Sequence, residues 1–419
     1  MSRFIRTLAV WLALQTGSAL HADDWLEFRG PDGVGHYSGK KLPTEWGPEK
    51  NVLWKAEIPG AGWSSPISIK NTLYLTTAVK TGDTGYDLFA LAVDGTDGKL
   101  LWQTMLFHEG AEAPKPHGKN SHASPTPVSD GKTVYVHFGH LGTAALDLEG
   151  KILWKNNQNS YKPVHGNGGS PILAGGNLVV AGDGSDFQFV VAMDLKTGKN
   201  VWKTARDHGA KMAFSFATSQ VIEHEGLVQV VSPASDFVMS YDPKSGKELW
   251  RVKYPKAGWS LICRPVYAHG LVYVLTGYPT ASLLAIRPEG TGDITKSAVV
   301  WQTNQKTANT PTPLIVGDEL YMLADSGVLT SLDAKTGKVH FSERLPGGGG
   351  YSASPIYADG KLWITSETGA GCVVKTGRTF EVVSKSDMKE KTFATFVPVD
   401  GKLYLRTETK LFCFANPSN

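Results

Sequence analysis

One short segment recurs along this chain and limits what the chain can fold into. Asp194-Leu-Lys-Thr-Gly-Lys-Asn-Val-Trp202 follows a run rich in β-formers, Phe189 to Met193, and leads into a polar strand. Asp242-Pro-Lys-Ser-Gly-Lys-Glu-Leu-Trp250 is the same unit, and Asp333-Ala-Lys-Thr-Gly-Lys-Val-His-Phe341 repeats it with Phe in place of Trp. Looser copies end at Trp102, Trp154 and Trp301. Asp, Thr and Gly in these places suit a tight hairpin turn, with Gly taking the positive φ. A unit recurring every ~40 to 50 residues implies a ring or solenoid of like supersecondary pieces.

Each unit opens with a small polar residue, often before Pro, then shows apolar strands, the turn and the Trp strand. The openings are Ser64-Ser-Pro66, Ser124-Pro125, Ser170-Pro171, Ala217-Thr218, Arg264-Pro265, Thr310-Pro311 and Ser354-Pro355. Val52 to Ile58 reads as the last strand of a unit whose first three strands lie at the other terminus, in Phe393–Val397, Lys402–Leu405 and Lys410–Phe414. The expected fold is therefore all-β: an eight-bladed β-propeller of four-stranded antiparallel blades over residues 51–416, closed by strands from both ends. Such closure leaves no open sheet at either terminus. Counting Phe341 and Phe380 as the last two markers makes the final blades the shortest. The marker Trp residues are expected to pack between blades and place their N–H on a neighbouring backbone carbonyl.

Arg3 and Arg6 precede an apolar run from Leu8 to Leu14, and Leu20-His21-Ala22 offers a cleavage site before Asp23. Residues 1–22 read as a secretory signal peptide, too short to anchor in a membrane. An exported chain, periplasmic or extracellular, is expected. Residues 23–50, with Phe28-Arg-Gly-Pro-Asp-Gly-Val-Gly35, read as an N-terminal strap across the fold; without a strand before and a helix after, the glycines do not make a phosphate loop. The formal net charge of +3 is too weak to point to nucleic acid. Cys263, Cys372 and Cys413 lie far apart in or beside apolar runs, which favours buried free thiols over a single disulfide.

The Thr/Ser-Gly-Lys-x-x-Trp signature, repeated over roughly residues 52 to 414, resembles the pyrroloquinoline-quinone (PQQ) repeat family of β-propellers. The strap with Phe28-Arg-Gly-Pro is similar to the start of secreted members with no assigned activity. The resemblance implies two better-known branches: quinoprotein dehydrogenases, which hold PQQ and calcium at the ring centre, and the propeller lipoprotein of the outer-membrane barrel-assembly machinery, which binds protein. The dehydrogenases carry adjacent cysteines over the quinone and a compact set of carboxylates, and neither is found here. No cysteine stands at the cleavage site to carry a lipid.

Segments that join the outer strand of one blade to the inner strand of the next converge on one mouth of the channel. They carry Trp63, His122, His165, Asn167, Phe216, Trp259, Arg264, Asn309 and Tyr351 as candidate ligand-binding residues, with His117, Lys119, Phe214, Lys391 and Phe393 beside them. Such groups stack on a flat anionic ligand and hydrogen-bond its edges; the competing reading is that the loops are simply polar and the aromatics plug the channel. His117 with His122, or His137 with His140, could offer metal ligands, but their spacing is not diagnostic off a helix and nearby carboxylates are few, so no metal site is expected. Asp183 and Asp186 read as turn residues. The loop from Met105 to Ser121, with Glu109 and Glu112, reads as a solvated flap. No catalytic set stands out. The expected function is an exported binding or scaffold protein, monomeric and not membrane-spanning, for a protein, peptide or glycan. The alternative is a PQQ-dependent oxidoreductase with calcium.

Overall fold

The computed structural model describes residues 24–83, 85–110, 114–206 and 209–417; residues 1–22, read from the sequence as a signal peptide, and Glu112 lie outside them. The chain forms eight sheets, each built on four antiparallel strands that run outward from the channel. Blade 1 comprises Ile67–Ile69, Thr72–Thr81, Gly85–Asp94 and Leu100–Glu109 in that order, and blades 2 to 7 follow over residues 128–156, 172–205, 220–253, 266–303, 314–344 and 356–387. Val52–Glu57 pairs antiparallel with Lys410–Phe414, so blade 8 takes its outer strand from the N-terminal side. Among the described residues no helix is long and apolar enough to cross a membrane.

The repeated turn works as a docking device between blades. Asp194 accepts from the Lys196 and Thr197 backbone N–H groups and from the Thr197 hydroxyl. Asp242 and Asp333 do the same in their own turns. Gly198 then sits at φ 68°, and a Cβ there would lie 2.4 Å from the Trp154 ring of the preceding blade. The glycine is needed twice, once for its backbone angle and once for the indole stacked on it. Five of the six marker tryptophans donate to a backbone carbonyl in the next blade's turn: Trp54 to Gly95, Trp102 to Leu148, Trp154 to Leu195, Trp202 to Pro243 and Trp301 to Ala334.

Trp250 departs from this pattern. Blade 5 has no such turn between Leu283–Ile286 and Val299–Thr303; the connection carries the short strand Gly292–Asp293 and a helical turn, Thr295–Ala298. Trp250 donates to the Gln229 side chain instead, at 2.7 Å, and Gln229 reaches on to the Pro288 carbonyl. Blade 7 departs differently. Register pairs Val373 with Ser384, so Ser384 rather than Phe380 occupies the marker position. The strap supplies the missing indole: Trp46 is 1% exposed, meets Phe396 edge-on at 5.0 Å, and lies over Gly371.

The outer strand of every blade bulges one residue before its marker, as at Leu53, Leu101, Leu153 and Val201. A bulge twists an outer edge away from further pairing, which suits a ring whose outermost strands face solvent. The three cysteines are free and buried.

The strap crosses the channel and touches most of the ring. Trp25 pairs with Ser68 of blade 1, and the Ser129 N–H of blade 2 donates to the Leu26 carbonyl. Gln220 of blade 4 donates to Asp32, and Arg29 donates to the Thr312 and Pro313 carbonyls of blade 6. His36–Tyr37 then adds in parallel to the inner strand of blade 7. Burial, followed by the nearby Arg264 charge, brings the Arg29 guanidinium down to about 9.

Candidate functional site

At the mouth end of the inner strands, hydroxyls link the blades in a circle. The N–H of Ser65 donates to Thr126, Thr126 to Ser170, Ser170 to Thr218, Arg264 to Thr312, Thr312 to Ser354, Ser354 to Thr395 and Thr395 back to Ser65, at 2.9 to 3.1 Å. Each hydroxyl thus satisfies a backbone donor of the preceding blade. The circle breaks at one place, between Thr218 and Arg264, because a guanidinium has no acceptor to offer. The true strand openings are therefore Thr126-Pro127 and Thr312-Pro313, two residues beyond the Ser124-Pro125 and Thr310-Pro311 read from the sequence.

Above this circle lies a cavity of about 620 Å³. The hydroxyls and Phe28 of the strap line its inner end. Its walls are aromatic. Trp63 meets Phe393 edge-on at 4.7 Å, with the Lys391 ammonium 5.1 Å from the Phe393 ring. His117 packs on His165 at 5.6 Å, His165 on Phe214 at 5.6 Å, and Phe214 on Phe216 at 5.8 Å. Trp259 and Tyr278 complete the belt, 5.8 Å apart. Met212, Ile262 and Tyr278 stay solvent-exposed in this lining.

Five of the nine candidate residues line the cavity: Trp63, His165, Phe216, Trp259 and Asn309. The other four are directed elsewhere. Arg264 is 2% exposed and bound to the strap, donating to the Phe28 carbonyl at 2.8 Å and to Glu27 at 2.7 Å. Tyr351 is buried between blades 6 and 7 among Leu323, Leu345 and Ile364. His122 bonds the Glu109 carboxylate at 2.6 Å and stacks on Tyr86 at 4.1 Å. Asn167 accepts from the Tyr161 hydroxyl at 2.9 Å and donates to the Phe138 carbonyl. A loop position brings a residue to the mouth, but a buried partner below can turn its side chain away.

His122, Glu109 and Asn167 belong to one buried polar cluster, since His140 Nε2 lies 3.1 Å from the other Glu109 oxygen and its Nδ1 faces Asn167. Burial works to raise the Glu109 carboxyl, but hydrogen bonds from His122 and His140 outweigh it and hold the group at about 2. Glu109 ends a strand and is 4% exposed, not part of a solvated flap. His117 packs on His165 while His122 bonds Glu109, and His137 bonds Thr143 while His140 faces Glu109. Asp186 accepts from the Lys162 and Phe187 N–H groups in its turn, whereas Asp183 ends a strand, is buried, and pairs with Arg206, which also bonds Pro233 and Ser232 of the next blade, so it is not a turn residue.

Three mouth residues came from a second set of loops. Tyr278, Asp325 and Glu367 sit at hairpins between the second and third strands of blades 5, 6 and 7, which open on the same face as the blade connections. Asp325 lines the cavity and accepts from the Asn309 N–H at 2.7 Å. Glu367 receives Lys119 at 2.7 Å and the Ser352 hydroxyl at 2.6 Å, tying the connection after blade 1 to blade 7. Hairpin tips read from the apolar strands around them would have found these residues.

Comparison with known proteins places this geometry. The family model described as outer membrane protein assembly factor BamB matches residues 44–236 and 290–391. A tetrathionate hydrolase of Acidithiobacillus ferrooxidans is 24% identical over 302 residues, covering 68% of this chain and 54% of that protein. An uncharacterized protein of Rickettsia prowazekii is 20% identical over 267 residues, covering 51% and 60%. The chain spans little more than half the length of these curated relatives. BamB from Moraxella catarrhalis superposes with a TM-score of 0.58 at 10% identity, over 87% of this chain and 99% of that one. A europium-containing methanol dehydrogenase superposes at 0.61 with 12% identity, over 94% and 98%. At such identities the structural likeness speaks for the fold alone.

Proposed function

This chain belongs to the PQQ-like repeat family of β-propellers, and on that premise we propose that it is an exported binding protein taking its ligand at the channel mouth. One observation carries the reading: the aromatic-walled cavity of about 620 Å³ with polar groups converging on it. Its size and mix of stacking faces with a few placed polar groups are those of a ligand site. The N-terminal Arg3, Arg6 and apolar Leu8–Leu14 run supports export. A protein or peptide ligand accords with the assembly-factor description of the family model; a glycan would use the same stacking walls. The proposed working form is a monomer.

PQQ with calcium is the second reading, and the cavity fits it poorly. The quinone carries three carboxylates, yet Arg264 is held by the strap and Lys119 by Glu367. One carboxylate, Asp325, lines the cavity, against the several oxygen ligands that calcium takes. Phe28 projects into the space from the strap. No chemical step is derived through that group.

The test is a calorimetric titration of the purified protein with capped peptides, short oligosaccharides, and PQQ with and without calcium. Binding of a peptide or oligosaccharide that weakens about tenfold in both Trp259→Ala and Phe216→Ala, with melting temperatures little changed, supports the mouth site. Tight PQQ binding that requires calcium would replace it with the second reading.

A further inference from the structure

The mouth is not uniform around its circumference. On the side of blades 8 and 1 a cation faces the mouth: Lys391 lies over Trp63 and Phe393, while Lys119 beside it is held by Glu367. On the side of blades 5 and 6 the polar groups are acceptors. Asp325 lines the cavity with one oxygen held by the Asn309 N–H, and none of the described cations forms an ion pair with it. Asn309 also lines the cavity, and its side-chain oxygen is buried with no hydrogen-bond donor. Trp259 and Tyr278 add two aromatic rings to the same arc.

The charge of Asp325 is felt locally. The Cys263 thiol, packed under the Asn309 and Thr310 carbonyls, is pushed well above its usual range by burial and then by Asp325. A negative group at the edge of an aromatic wall, with none of the described cations paired to it, calls for a cationic donor from outside. Carboxylate and aromatic faces together form the usual surroundings of an ammonium or guanidinium.

We infer that the blade 5–6 arc of the mouth is a subsite for an alkylammonium or guanidinium group of the ligand, held by Asp325 against Trp259 and Tyr278. The inference rests on the reading of the mouth as a ligand site. A basic side chain of a peptide and a free polyamine both carry this chemistry. Lys391 across the mouth favours the peptide, because a peptide also brings a carbonyl or carboxylate oxygen for it.

Calorimetry with end-capped tetrapeptides decides it, using one Lys or Arg at a single position against norleucine there, with spermidine as a separate arm. The basic peptides should bind about tenfold tighter than the norleucine peptide. Asp325→Asn, which keeps an oxygen for the Asn309 N–H, should abolish that preference, and Lys391→Gln should preserve it. Spermidine binding as tightly as the basic peptides, and equally lost in Asp325→Asn, would assign the subsite to polyamines. Equal binding of basic and norleucine peptides, or a preference that survives Asp325→Asn, overturns the subsite and leaves the mouth site standing if Trp259→Ala still weakens binding. No binding of any peptide, oligosaccharide or polyamine overturns both.

Discussion

Arg264 donates to the carbonyl of Phe28, 236 residues earlier in the chain, at 2.8 Å. It stands where seven other blades place a hydroxyl or its equivalent circle position, and it fastens the strap that carries Phe28 into the cavity. The guanidinium also fills the space over Gly33, where a Cβ would lie 2.1 Å from its carbon. Arg264→Met keeps the length of the side chain but leaves Glu27 and the Phe28 carbonyl without a donor. Glu27 retains some solvent, so the loss should be about 3 kcal/mol, the low end for a broken buried pair. Denaturant midpoints measure that cost, and hydrogen exchange at Gly33 and Gly35 reports whether the strap loosens first. Unchanged exchange there would mean the strap is held by its other contacts.

The hydroxyl circle predicts an unusual sensitivity to conservative changes. Thr312→Val preserves shape but strands the buried Arg264 N–H, and Ser354→Ala strands that of Thr312. Each should cost about 1–3 kcal/mol, the penalty of an unsatisfied buried donor. Urea unfolding checks it. Losses below half a kcal/mol would mean that water replaces the hydroxyl at the channel.

Trp46 predicts that the strap is part of the ring's packing. If it stands in for the absent marker of blade 7, Trp46→Ala should cost as much as Trp154→Ala, about 3–5 kcal/mol each. Equilibrium unfolding of the two variants compares them directly. A loss under 1 kcal/mol for Trp46→Ala would reduce the strap to a surface layer.

The architecture was legible because its code is local. Asp194, Thr197 and Gly198 set a turn whose chemistry is contained in five residues, and recurrence gave the ring and its closure by Val52–Glu57. The departures were not legible because they depend on partners far along the chain. Nothing near Phe380 says that Trp46 fills blade 7, and nothing near Trp250 says that Gln229 replaces a turn carbonyl. The candidate site shows the same division. Connecting loops were found, and Trp63, His165, Phe216, Trp259 and Asn309 reached the cavity. Arg264 and Tyr351 did not, since one answers to Glu27 and the other to the blade 6–7 core. Asp325 was missed because hairpin tips were not read as part of the mouth.

Acid should expose two buried groups in separable windows. His137 is buried against Thr143, and burial followed by the His140 charge lowers its imidazole from 6.5 to about 4. The folded state therefore holds it neutral where the unfolded chain would protonate it. Its contribution is complete above pH 6.5 and is lost progressively as pH falls towards 4, up to ~3 kcal/mol in all. Glu109 acts lower. Its carboxyl is lowered from 4.5 to about 2, so the stability it gives is present above pH 4.5 and is lost as pH falls through 2. Denaturant unfolding from pH 8 to pH 2 should show stability falling first between 6.5 and 4. His137→Asn, which can still bond the Thr143 hydroxyl, should lower stability at pH 7 yet flatten that first slope. Glu109→Gln should leave the first slope in place and remove the second. A first slope that persists unchanged in His137→Asn would mean that another group protonates on unfolding in that window.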